Sequence, residues 1–286
     1  VRAAAAERAR AALEAASPHW WAAWWAGVAA GAAGLGLLPA ALLRALREGP
    51  GELGTLLGDT RFGTAWWIQA GALLTAAVAG SSLRRREGAW ADAPPWAPAL
   101  GLAAPPAVAL VAIAWAGHAS TGGDRLANIA IDALHGLATA AWLGGLAGLL
   151  ALLPAAARSL ADPEQVRVSA GIVVRFSSLA IGAVSVLVVT GVYRALAELA
   201  SLADLTGTAY GRALLVKLGL FAVLLLGGAY NRLVVHPRLE RAALGLADTD
   251  RGAGAALRVS VAAELVLAFA VMTSVAVLVS LAPPAG

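Results

Sequence analysis

Seven long apolar stretches dominate the pattern of hydrophobic and polar positions along the chain. Each has about the 20 residues that a helix needs to cross the hydrocarbon core of a bilayer. The stretches cover residues 20–43, 64–83, 96–117, 129–153, 172–195, 210–235 and 258–282. In lipid only helices and closed barrels pair all their backbone polar groups, and these runs are too long and too continuously apolar for barrel strands. The pattern therefore predicts an all-α fold, a polytopic transmembrane helical bundle with seven visible spans.

Composition supports a membrane environment. Hydrophobic residues make up 60% of the chain and charged residues 13%, where soluble domains carry about 25% charged residues. There is no cysteine, which excludes disulfides, iron–sulfur clusters and thiolate metal sites, and Met272 is the single methionine. The net charge of +4 is modest, so we expect the lipid bilayer as a partner and no nucleic acid.

The distribution of arginine predicts the orientation. Fourteen arginines fall at one set of span ends and six at the opposite ends, and cytoplasmic ends carry the excess of positive charge. We therefore expect a cytoplasmic N-terminus and a periplasmic C-terminus. Residues 1–18 form an Arg- and Ala-rich cytoplasmic segment in this interpretation, and residues 19–286 form the transmembrane domain.

Asp132 and His135 are the first candidates for chemistry, because ionisable groups inside a bilayer are costly unless they are paired or hydrated. They are three residues apart and share one helix face. If the span begins near Ile131, His135 lies about 6 Å inside the outer surface. His118 ends the preceding span on the same side, so two imidazoles and a carboxylate can converge on a metal ion. A structural alternative stays open, since the spacing is not a tight ligand motif and interfacial histidines are often just hydrated.

Further polar residues lie inside the later spans. Lys217 is about two turns into the sixth span from outside, and Glu264 is about two turns into the last span from inside. Their depths differ, so we do not expect them to pair. Arg175 is the expected partner of Glu264 in a polar lock between helices, which Asn231 and Arg232 can join. Lys217 can attract an anion, line a water-filled cavity or form an ion pair with Asp132. The other two histidines, at positions 19 and 236, are interpreted as interfacial or solvated.

Four segments carry a resemblance to a known family. They are Asp132-Ala-Leu-His135 continuing to Trp142-Leu-Gly-Gly145, Arg175-Phe-Ser-Ser-Leu-Ala180 running to Thr190-Gly191, Thr208-Ala-Tyr210-Gly-Arg212 leading to Lys217 and Asn231-Arg232, and Glu264 followed by Pro283-Pro284. In order and spacing they resemble the copper resistance protein D (CopD) family of inner-membrane proteins. The likeness covers roughly residues 55–284.

The resemblance implies copper ion transport across the bacterial inner membrane, for uptake or resistance, often with a periplasmic copper-binding partner of the CopC type. The family's histidine motifs fall on His118 and His135, which would bind copper on the periplasmic side with Asp132 as third ligand or orienting partner. Lys217 and Trp142 would shape the path below. The family typically has eight spans, and we expect the additional one to precede Val1.

Two other functions stay open. One is a haem- or quinone-linked membrane electron carrier with His118 and His135 as axial ligands, and the other is a non-transporting assembly partner for a cuproenzyme. No Ser/His/Asp array, phosphate-binding glycine loop or catalytic carboxylate pair stands out, so we do not expect an enzyme. Without thiolates, copper would be held by imidazole and oxygen, which favours Cu(II) or a weak, transient Cu(I) site.

Overall fold

The described part of the chain is helical. A computed structural model describes residues 49–85, 96–117, 124–159, 162–243 and 251–281, together with Pro284. Its helices are α1 (Pro50–Gly58), α2 (Arg61–Arg85), α3 (Trp96–Ala116), α4 (Arg125–Ser159), α5 (Asp162–Glu198), α6 (Asp204–Gly207), α7 (Ala209–Tyr230), a π-helix (Asn231–Val235), α8 (His236–Ala243) and α9 (Arg251–Val279). Within these residues no strand occurs, so the all-α prediction is confirmed there.

Five helical segments in this part of the chain are long and apolar enough to cross a bilayer. They are Arg61–Leu83, Arg125–Leu150, Gly171–Glu198, Ala209–Arg238 and Ala256–Val279. Each overlaps one of the predicted spans, which supports a multi-pass membrane protein. The predicted span at 96–117 corresponds to α3, whose apolar part, Gly101–Ala116, is shorter. The predicted span at 20–43 falls outside the described residues, so a total of seven stays a prediction.

The described helices form two compact units that divide within α4, between Leu137 and Ala138. The N-terminal unit contains α1, α2, α3 and the first part of α4. Alanines supply most of its buried positions, among them Ala65, Ala72 and Ala112, and small residues of this kind let membrane helices approach closely. The C-terminal unit contains the rest of α4 and helices α5 to α9.

Helices α4, α5, α7 and α9 enclose the core of the C-terminal unit. Leu146, Leu224 and Val261 are its most completely buried large side chains. Large apolar residues also cover the outside of the unit, where Phe269 on α9 is 75% exposed. Such extensive apolar exposure is typical of a surface that meets lipid rather than water, in agreement with the spans.

Candidate functional site

Asp132 and His135 lie half-buried on α4, in the N-terminal unit. The helix begins at Arg125, six residues before the start that the sequence suggested. Ten residues therefore separate His135 from the helix start, about 15 Å by the rise per residue, and its depth of about 6 Å below the membrane surface stays a prediction. The third member of the predicted metal site, His118, falls outside the described residues. Within the described ranges, no group of three or more His, Cys, Asp or Glu side chains is arranged to hold a metal ion.

A second polar region occurs in the C-terminal unit, where a cavity of about 320 Å³ opens between the helices. Most of its wall is apolar and includes Trp142, whose ring packs edge-to-face on Phe221 with centroids 6.0 Å apart. Its polar wall consists of Ser177, Ser185, Asn231, Arg232, His236 and Glu264. We call this space the Glu264 cavity. Its mainly apolar lining makes the few polar groups the chemically distinctive part.

Glu264 is the buried acidic residue of this cavity, with 4% of its surface exposed. Asn231 donates a hydrogen bond from Nδ2 to its Oε1. Gly227 on α7 lies beside the acid, and a Cβ at position 227 would be in ordinary van der Waals contact with Glu264 Cγ, at 3.4 Å. The sequence predicted Arg175 as the partner of Glu264, and Arg175 is exposed on α5. The structure assigns the hydrogen bond to Asn231, which the prediction had named only as a possible additional member.

The depth of the two hydrogen-bonded residues agrees. Glu264 is eight residues from Ala256, and Asn231 is seven residues from Arg238, where their respective spans begin and end. At 1.5 Å per residue both lie about 10–12 Å from the same side of the protein, which is the predicted cytoplasmic side. Beside them, Arg232 Nη1 donates to Ser177 Oγ at 2.7 Å and so ties the π-helix to α5.

A π-helical turn brings His236 to this cavity. The backbone N–H of His236 donates to the carbonyl of Asn231, five residues earlier. In an α-helix, residues five apart point about 140° away from each other, but the wider π turn returns them toward a common face. His236 accordingly lines the cavity with Asn231, and its Nε2 is a buried atom. The sequence suggested His236 only as an interfacial or solvated residue and did not connect it with Asn231, since a pattern search at α-helical spacing does not join positions 231 and 236.

A separate charged cluster lies where α5 ends and α7 begins. Arg194 and Glu198 form an ion pair at 2.8 Å, and Tyr210 donates its hydroxyl hydrogen bond to the other oxygen of Glu198. Lys217 is close enough to interact electrostatically with both Arg194 and Glu198. Thr208 caps α7 by accepting from the N–H of Gly211 at 2.9 Å. Glu198 is thus a carboxylate near Lys217, which the sequence prediction did not consider. Its spacing of four residues from Arg194, which favours an ion pair on one helix, was visible in the sequence.

Replacing Glu198 with alanine is expected to lower the stability of the C-terminal unit by about 1–2 kcal/mol, because one ion pair and one hydrogen bond are lost together. The loss is moderate because the side chains of Arg194 and Glu198 are 38% and 27% exposed. Thermal unfolding of the purified protein in detergent would measure it. Glu198→Gln keeps an acceptor for Tyr210 and should lose about half as much. An unchanged melting temperature in the alanine variant would show that the cluster adds nothing to stability.

Comparison with known proteins places this architecture among copper-related membrane proteins. The model of the family "Copper resistance protein D" matches residues 170–278, which cover most of the C-terminal unit. The "Copper transport protein CutJ" of Bacillus subtilis (strain 168) is 30% identical over 240 residues, or 82% of this chain. The match covers 39% of CutJ, so the chain spans well under half the length of that relative.

A second relative is covered more fully. The "Copper resistance protein D" of Pseudomonas syringae pv. tomato is 30% identical over 236 residues, which are 80% of this chain and 71% of that protein. No solved structure matches the chain significantly. Both relatives carry names for copper transport or resistance, and neither name describes an enzyme.

Proposed function

Because this chain belongs to the copper resistance protein D family, we propose that it transports copper ions across the bacterial inner membrane. The observation that carries the proposal is the presence of ionisable side chains inside helices that are otherwise apolar enough to span a bilayer. His135, Lys217 and Glu264 all lie within such segments. Charged and ionisable groups are costly there and usually mark a pathway for ions or substrate.

We assign the periplasmic entry to His135 and Asp132 on α4, together with His118. Imidazole and carboxylate are suitable ligands for copper, and a carboxylate beside a histidine can also orient its ring. A periplasmic copper-binding protein of the CopC type would deliver the ion to this side. In the C-terminal unit, Lys217, Trp142 and Glu264 belong to the path in this proposal.

The position of His135 supports its role as a transient ligand. It lies within the apolar segment Arg125–Leu150, about 15 Å along α4 from the start of the helix. Ionisable side chains within such a segment are costly and usually mark a pathway for ions, which favours His135 as a residue that the ion meets. With no cysteine in the chain, the ion would be held by nitrogen and oxygen, which suits Cu(II) or weakly bound Cu(I).

Purified protein reconstituted into liposomes should take up copper, and the variant His118→Ala/His135→Ala should reduce uptake to the level of protein-free liposomes. The loss is expected because both imidazole ligands of the entry site are removed together. His19→Ala is the matched control, since the sequence places that residue at the opposite side of the membrane, and its uptake should equal that of the wild type.

Two results would contradict the proposal. Copper uptake by the double variant at the wild-type rate would remove the histidines from the pathway. A Soret absorption band in the purified wild-type protein, lost in the double variant, would instead identify a haem-binding electron carrier.

A further inference from the structure

We propose that Asn231, His236 and Glu264 form a copper-binding site inside the Glu264 cavity, separate from the entry site. The inference rests on the proposed function only for the identity of the ion. It assigns a ligand role to Glu264 and Asn231, which the sequence suggested as members of a structural lock between helices, and to His236, which that lock did not include. Four features of the cavity carry it.

The first feature is an acceptor that lacks a donor. Asn231 uses Nδ2 for its hydrogen bond to Glu264, while its buried Oδ1 accepts no hydrogen bond from any residue that the structure describes. Buried polar atoms without partners are rare in native proteins and call for a specific explanation. A bound cation at the polar wall would satisfy Oδ1 directly.

The second feature is the chemistry of the neighbouring groups. Glu264, which carries carboxylate oxygens, and His236, whose Nε2 is buried, line the same cavity. Imidazole with carboxylate and amide oxygen is a donor set that suits Cu(II).

The third feature is the π turn. It is the reason that Asn231 and His236 share a face although they are five residues apart. Such turns are rare and are found frequently at functional sites. Here the consequence of the irregular turn is specific, since it adds a nitrogen donor to the wall that already holds the carboxylate and the amide.

The fourth feature concerns affinity. Arg232 follows Asn231 directly, lines the same cavity, and is held by its hydrogen bond to Ser177. A fixed positive charge beside the donors weakens the binding of a cation. An ion in transit must bind well enough to enter and weakly enough to leave, so we expect a site of moderate affinity that releases copper.

The test is a titration of the full chain in lipid nanodiscs with Cu(II) sulfate, in the background His118→Ala/His135→Ala, followed by electron paramagnetic resonance. One equivalent of Cu(II) should remain bound, with hyperfine coupling to a single imidazole nitrogen. Adding Glu264→Gln or Asn231→Leu should weaken binding by about tenfold or more. His236→Ala should remove the nitrogen coupling, and Asn231→Asp, which keeps an oxygen ligand, should retain binding.

Ser185→Ala is the matched control. Ser185 lines the same cavity, but its hydroxyl donates to the carbonyl of Ile181 at 2.9 Å and is not part of the donor set. Its variant should bind copper as the background does. Circular dichroism and gel filtration would confirm that each variant is folded before binding is compared.

The inference is overturned if the background variant binds no copper, or if Glu264→Gln, Asn231→Leu and Ser185→Ala bind it equally. It is also overturned if an isoprenoid quinone co-purifies with the wild type and is lost from Asn231→Leu. These outcomes leave the proposed transport intact when uptake still depends on His118 and His135. Conversely, copper bound in the cavity of a protein that moves no copper into liposomes would refute the transport proposal alone.

Discussion

Replacing Gly145 with leucine is expected to destabilise the C-terminal unit strongly, whereas the same change at the adjacent Gly144 should have little effect. A Cβ at position 145 would overlap the ring of Phe176 on α5, while a Cβ at position 144 would meet no atom within 4 Å. Overpacking of this kind typically costs about 1–3 kcal/mol, and the further atoms of leucine add to it. Thermal unfolding in detergent, followed by tryptophan fluorescence, would measure the difference between the two variants.

The reason is the close approach of α4 and α5 at this point. Small residues at helix interfaces allow such contact, and Phe176 fills the space that Gly145 leaves. Phe176 also lines the Glu264 cavity, so that space is open to its ring when the ring is displaced. Gly145→Ala is therefore expected to shrink the cavity as well as to destabilise. Equal melting temperatures for Gly144→Leu and Gly145→Leu would refute the packing argument.

Glu264→Gln is expected to abolish copper transport while leaving the protein as stable as the wild type or more so. Transport fails because the carboxylate ligand is lost from the cavity site. Stability is maintained because glutamine still accepts from Asn231 Nδ2, and its own amide can donate to the buried Oδ1 that lacks a donor. One added hydrogen bond is worth about 1 kcal/mol, or about 2–4 °C in melting temperature for a protein of this size.

This pair of measurements separates a ligand from a structural lock. If Glu264 only held helices together, its replacement would lower the melting temperature and affect transport no more than that loss of stability requires. Glu264→Leu is the useful comparison, because it removes both the ligand and the partner of Asn231. That variant should lose transport and stability together. Wild-type transport by Glu264→Gln would contradict the assignment of Glu264 to the path.

The sequence predicted the helical spans well because length and continuous apolar character are properties of single segments. Trp142 and Gly145 also stood out within one segment, through the motif that carries the family resemblance. The Glu264 cavity depends instead on how four helices pack, and on a turn that departs from α-helical spacing. His236 was therefore interpreted as interfacial or solvated and was not connected with Asn231, and Glu198 was not recognised as the carboxylate near Lys217.

The π turn has a consequence for the history of the chain. Relative to an α-helix, a turn that closes over five residues instead of four contains one extra residue, as an insertion of a single codon would supply. Removing one residue between Asn231 and His236 would restore α-helical spacing, four residues apart, and rotate everything that follows by about 100°. Alignments of this segment are thus expected to contain single-position gaps, and those gaps would separate relatives that share the cavity from relatives that never acquired it.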